Sequence, residues 1–153
     1  MEQTYQLLIQ QLQTLITGEH IEMSVLANAA ALLKQTFPER YFWVGFYLVR
    51  NNRLELGPFQ GTVACYHIDR GRGVCGTAWS EQRSIVVDDV EQFPGHIACS
   101  SLSRSEIVVP MFNSSHEVYG VIDIDSTECS AFNATDRRYL EEIAKILMQQ
   151  LDN

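Results

Sequence analysis

The sequence predicts an α+β domain in which several mostly antiparallel strands carry helices on one face. Three observations lead there. Apolar residues recur at helical spacing at both ends of the chain, β-branched and aromatic residues dominate its middle, and polar turns divide that middle into short runs. The 153 residues suit one core, so residues 1–153 are expected to form a single domain. Hydrophobic residues make up 46% and charged residues 20% of the chain, a composition that excludes global disorder.

Tyr5, Leu8, Ile9, Leu12, Leu15 and Ile16 lie on one helical stripe, which predicts an amphipathic helix over about 2–17 that serves as a packing or dimerisation element. After a break at Gly18, Ile21, Val25, Ala29, Leu32 and Leu33 predict a second helix. From Tyr41 the pattern changes: YFWVGFYLVR, an Asn51-Asn52 turn and RLELGPF read as a β-hairpin. Residues 62–68 predict a third strand, and GRGVCGTAWSEQ a tight turn entering a short helix. The strand SIVV precedes a long loop from Asp88 to about Ser103, and loops of that length are often functional. SEIVVPMF and VYGVIDID, joined by NSSH, are the last strands. Asn133 is positioned to cap a final helix whose stripe is Leu140, Ile143, Ala144, Leu147 and Leu151.

Strand parity then points to a site. Residues two apart share a face. If Phe42, Val44, Phe46 and Leu48 face the helices, with Ile107, Val109, Met111, Ile122 and Ile124, the opposite face gathers Trp43, Tyr47, Glu106, Asp123 and Asp125. A solvated face would carry acids comfortably but would expose two aromatic rings. A pocket roofed by the long loop accommodates both, and Gly45 between the rings allows a close approach to the backbone. Three partly buried carboxylates favour a cation, each attracting one at 4 Å by about 4 kcal/mol at an effective dielectric of ~20. An ammonium group satisfies this and uses the aromatic wall; Ca²⁺ or Mg²⁺ would leave the indole without a role.

The excess of nineteen Asp+Glu over eleven Lys+Arg, a net charge of −8, argues against nucleic acid and anionic membrane surfaces as partners. The N-terminal residues show neither a charged n-region nor an apolar h-region, and no run suits a bilayer span. A soluble, cytoplasmic protein is expected. Cys65, Cys75, Cys99 and Cys129 are separated by 10, 24 and 30 residues, without the CxxC spacing of structural zinc. Cys99 lies in the long loop, within reach of the acidic face. Cys75 stands near a helix start, where the macrodipole favours a thiolate, and rivals it. Cys129 has no evident role. His67 and His96 are read as ordinary loop or core residues.

YFWVGFY, GPFQGTVACYHIDRGRGVCGTAW, FPGHIACSSLSRSEIVVP and VYGVIDIDS resemble, in order and spacing, the GAF-domain free methionine-(R)-sulfoxide reductases over roughly residues 21–150. The resemblance implies a GAF-like, six-stranded mostly antiparallel sheet with the ligand pocket on the face opposite the helices. It implies reduction of free L-methionine-(R)-sulfoxide, commonly by a homodimer, with no metal or organic cofactor and with a thioredoxin-type dithiol as reductant. By motif, Cys99 takes the nucleophile's place, and Cys65 and Cys75 take resolving positions whose order stays open. Trp43 and Tyr47 correspond to the wall around the substrate methyl group, and Glu106, Asp123 and Asp125 to the acids that hold its amino group and sulfoxide. A non-catalytic GAF-type binding or sensor domain is the alternative. VACYHID, the NSSHEVYG turn and Cys129 depart from the family pattern.

Overall fold

The computed structural model describes residues 1–97 and 99–152. Two helices, α1 (Glu2–Ile16) and α2 (Glu22–Thr36), lead into the hairpin β1 (Trp43–Arg50) and β2 (Arg53–Gln60). Asn51 and Asn52 both have positive φ, 53° and 65°. That backbone matches the twist of a two-residue hairpin, which pairs Arg50 with Arg53. The chain continues through β3 (His67–Ile68), α3 (Gly73–Glu81), β4 (Ile85–Val87), a 3₁₀ turn at Val90–Gln92, β5 (Ser105–Phe112), β6 (Val118–Ser126) and α4 (Ala134–Leu151). The six strands form one sheet in the order β3-β2-β1-β6-β5-β4, and every neighbouring pair is antiparallel.

Both sheet faces are covered. Val44, Phe46, Leu48, Ile107, Val109, Met111, Ile122 and Ile124 pack with α1, α2 and α4 in the larger core, as parity requires. The other face holds a second core, in which Trp43, Tyr47, Val108 and Val121 meet Val74, Cys75, Ala78 and Trp79 of α3. The short inserted helix therefore forms part of the pocket wall. Phe42 departs from expectation. It precedes the first residue of β1 and packs against the second core, because strand alternation starts only where the ladder does.

The third strand is also shorter than the 62–68 run. Only His67 and Ile68 pair, with Glu55 and Leu54, and the residues before them turn toward the pocket. Asn133 caps α4 in a full capping box with Asp136. Asp136 is fully buried; its Oδ1 accepts from Arg40 Nη1 at 2.8 Å and from the Tyr5 hydroxyl, whose oxygen lies 2.7 Å from that of Tyr41. This network ties both chain ends to the connection into β1. No helix among the described residues is long and apolar enough to cross a membrane.

Candidate functional site: an acidic and aromatic pocket beneath a disulfide

Sheet register brings the predicted residues together. Trp43 pairs with Asp125, and Asp125 in turn with Glu106, so these three lie in one row across β1, β6 and β5. The next row is Gly45, Asp123 and Val108. Tyr47 stands two residues beyond Gly45 on the same face. Register alone therefore stacks the aromatic side chains beside the acids. The pocket they line also receives Thr62, Val63 and Ala64, Val74 and Cys75 of α3, and His96, Ile97 and Cys99 of the long loop.

The aromatic wall is held rigidly. Trp43 stacks on Phe59 with ring centres 5.2 Å apart and on Tyr47 at 6.0 Å, and its Nε1 donates to the Thr62 carbonyl at 3.0 Å. Tyr47 donates its hydroxyl to the Cys65 carbonyl at 2.9 Å. The wall thus fixes the backbone that carries Cys65. Gly45 is required here: a Cβ would stand 2.3 Å from Phe59 Cβ and 2.8 Å from Trp43 Cη2. The close approach anticipated at this glycine is made by the protein's own rings.

Cys65 and Cys99 are joined in a disulfide, with their Cα atoms 5.6 Å apart and a sequence separation of 34. Cys99 lines the pocket, so the long loop is tethered over the acids. Cys75 is free and buried, and its Sγ lies 4.0 Å from Glu106 Oε2. The expectation that the helix start makes Cys75 a ready thiolate does not hold. Burial, followed by the charges of Asp123, Glu106 and Asp125, pushes its thiol well above the ordinary value, and the dipole of a nine-residue helix does not offset that. Cys129 is free and exposed after β6.

The acids differ in state. Burial raises Glu106 well above the ordinary carboxyl value, and the charges of Asp123 and Asp125 raise it further. Asp125 is likewise raised well above its usual value, first by burial and then by Asp123. Asp123 is raised by burial too, but hydrogen bonds from Glu106 and Cys75 pull it back. The charge therefore settles on Asp123, with Glu106 as the protonated neighbour that donates to it. Asp123 Oδ1 is nevertheless buried with no hydrogen-bond partner. No Lys or Arg is among the described residues that line the pocket.

His96, expected to be an ordinary loop or core residue, lines the site. Its Nε2 lies 3.9 Å from Glu106 Oε1, and burial lowers its pKa toward the neutral ring. The only sequence signal was its place three residues before Cys99 in the long loop. His67 lies on β3 outside the pocket.

Comparison with known proteins agrees with this architecture. The GAF domain family matches residues 3–152. "GAF domain-containing protein A" of Dictyostelium discoideum is 50% identical over 147 residues, covering 95% of this chain and 91% of the relative. A free methionine-R-sulfoxide reductase of Escherichia coli is 42% identical over 137 residues, covering 90% of this chain and 82% of that protein. The crystal structure of free methionine-R-sulfoxide reductase from Neisseria meningitidis in complex with its substrate superposes with a TM-score of 0.92 at 49% identity, covering 95% of this chain and 87% of that one. On the match to the family over residues 3–152 and the identity to named reductases across most of its length, this chain belongs to the GAF-domain family of free methionine-R-sulfoxide reductases.

Proposed function

We propose that this chain reduces free L-methionine-(R)-sulfoxide to methionine. The observation that carries this reading is a cysteine pair, Cys65–Cys99, closing over a pocket of aromatic rings and buried acids with no Lys or Arg among the described residues that line it. The substrate's ammonium group supplies the missing charge at Asp123, and its methyl sulfoxide end packs on Trp43 and Tyr47. A peptide nitrogen carries no charge, and the chain attached to it would collide with the tethered loop, so a free amino acid is selected.

Cys99 acts as the nucleophile. Its thiolate attacks the sulfoxide sulfur while Glu106, the neighbour that holds a proton, gives that proton to the departing oxygen. Methionine leaves and Cys99 becomes a sulfenic acid. The Cys65 thiol then attacks the sulfenic sulfur and water departs, leaving the disulfide. A thioredoxin-type dithiol restores both thiols by exchange and takes up the oxidising equivalents. Cys65 resolves in this scheme; Cys75 lies against Glu106 and keeps a neutral thiol. The chemistry runs on thiols and carboxyls, without a resident metal or organic cofactor. Such a cycle suits the reducing cytoplasm.

We assign α1 a packing role, since Tyr5, Leu8, Ile9, Leu12 and Ile16 enter the main core, and we place the contact of a homodimer on its outer face, which exposes Leu7 and Leu15. A GAF-type sensor without turnover is the weaker reading, because ligand binding alone needs no cysteine pair at the pocket mouth.

The test is to incubate the protein with free L-methionine-(R)-sulfoxide and dithiothreitol and to measure methionine. Cys99→Ser is expected to bind the sulfoxide without turning it over, and full activity in that variant rejects the nucleophile. Cys65→Ser is expected to weaken thioredoxin-supported turnover more than dithiothreitol-supported turnover, with Cys75→Ser sparing both. Equal losses in the two assays remove Cys65 from the resolving step.

A further inference from the structure

The pocket floor is more than an acidic cluster. Cys75 Sγ, a Glu106 carboxylate oxygen and an Asp123 carboxylate oxygen lie within 4.8 Å of one another, all on buried residues. His96 Nε2 stands 3.9 Å from the other Glu106 oxygen. Asp123, only 6% exposed, lines the same pocket and carries a buried Oδ1 with no hydrogen-bond partner. A thiol and two carboxylates form a donor set that differs in kind from the all-oxygen shells of Ca²⁺ and Mg²⁺. A sulfur donor beside carboxylates, with an imidazole next to them, suits zinc-class cations, whose sites with three protein ligands keep water in the fourth position. Sequence spacing conceals it, because the donors come from α3, β5 and β6.

We propose that this floor is a binding site for a divalent cation of the zinc class, held by Cys75, Glu106 and Asp123, with His96 next to Glu106 outside that cluster and water completing the coordination. Occupancy excludes an ammonium-bearing ligand from the same acids. The cation displaces the Cys75 proton and the proton shared among the carboxylates into solvent, and no electrons move. Burial lowers the His96 pKa, which favours a neutral ring beside the site. The metal acts as an inhibitor that competes with substrate, and the reduced and disulfide forms both retain the donors, since neither Cys65 nor Cys99 belongs to the set. The metal site stands on geometry alone; its effect on turnover rests on the reductase reading.

The probe is Co²⁺, which reports a thiolate ligand by a near-ultraviolet charge-transfer band and tetrahedral geometry by intense visible bands. Full-length protein in the disulfide form is titrated in a Cys129→Ser background, so that Cys75 is the remaining free thiol. Bands that saturate at one cobalt per chain, and that Zn²⁺ or free methionine-R-sulfoxide bleaches, are expected. Cys75→Ser should abolish the charge-transfer band. Asp123→Asn, which keeps the side chain's shape and guards against misfolding of the cysteine variant, should weaken binding by at least about tenfold. A spectrum without the band, or a band that persists in Cys75→Ser, overturns the metal site; cobalt that the sulfoxide leaves in place overturns its competition with substrate. A protein that binds cobalt as described but makes no methionine with dithiothreitol in metal-free buffer refutes the reductase reading and leaves the metal site standing.

Discussion

Asp123→Asn tests the electrostatic logic of the pocket because it predicts two effects of opposite sign. In the unliganded protein Asp123 holds the charge of the triad, yet Oδ1 has no partner and the residue is 94% buried, given an exposure of 6%. Neutralising it removes an under-solvated anion, while the amide oxygen still accepts from Glu106 and Cys75. The amide group at the Oδ1 position lacks a partner as well, so the gain is the cost of burying the charge alone. The variant should therefore be more stable, with its Tm higher by about 2–4 °C per kcal/mol gained. Substrate binding should move the other way. An ammonium about 4 Å from one carboxylate gains about 4 kcal/mol at an effective dielectric of ~20, and truncating one partner of a desolvated charge pair costs about 2–5 kcal/mol. Taking about 2–4 kcal/mol, KM rises roughly 30- to 1000-fold. The assay is methionine formation with dithiothreitol, which keeps disulfide reduction from limiting the rate, beside thermal unfolding without ligand. A KM within about threefold of the parent, less than 1 kcal/mol, together with a lower Tm would show that Asp123 is a structural acid and that the pocket holds its ligand by other means.

Other consequences follow from the same geometry. The pKa of Glu106 is raised on folding from its ordinary 4.5, so its contribution to stability is fully present below that value and is lost as pH climbs through the raised folded value. Urea unfolding of unliganded protein in chelator-treated buffer should show the parent losing more stability than Glu106→Gln as pH rises above 4.5, and parallel curves for the two proteins refute this. Gly45→Ala forces a methyl 2.3 Å from Phe59 Cβ and 2.8 Å from Trp43; overpacking of this kind costs about 1–3 kcal/mol, and it should weaken sulfoxide binding as the ring stack shifts, both readable from unfolding and from KM. Asp136→Ala leaves Arg40 and Tyr5 without their buried acceptor and should cost about 3–5 kcal/mol while the folded fraction keeps its KM, since none of these residues lines the pocket.

The local periodicities of the chain settled a great deal without tertiary information. A strand alternates with period two whatever it pairs with, so Trp43, Tyr47, Glu106, Asp123 and Asp125 were bound to share a face once their strands were recognised. Helical stripes and the Asn133 cap are likewise local, being written in residues three or four apart. The same logic failed at Phe42 and at residues 62–66, where the ladder has not begun and alternation has no physical basis. Which sulfur meets Cys99 depended on the path of two irregular segments: Tyr47 anchors the Cys65 carbonyl at the pocket rim, while α3 buries Cys75 against Glu106. His96 entered the site through the same loop, which has no period to betray it. Protonation was also beyond the sequence, because burial and three-way proximity decide it. Periodic backbone carries its facing directions in nearest neighbours, whereas loop closure and the dielectric around a charge exist only once distant segments have packed.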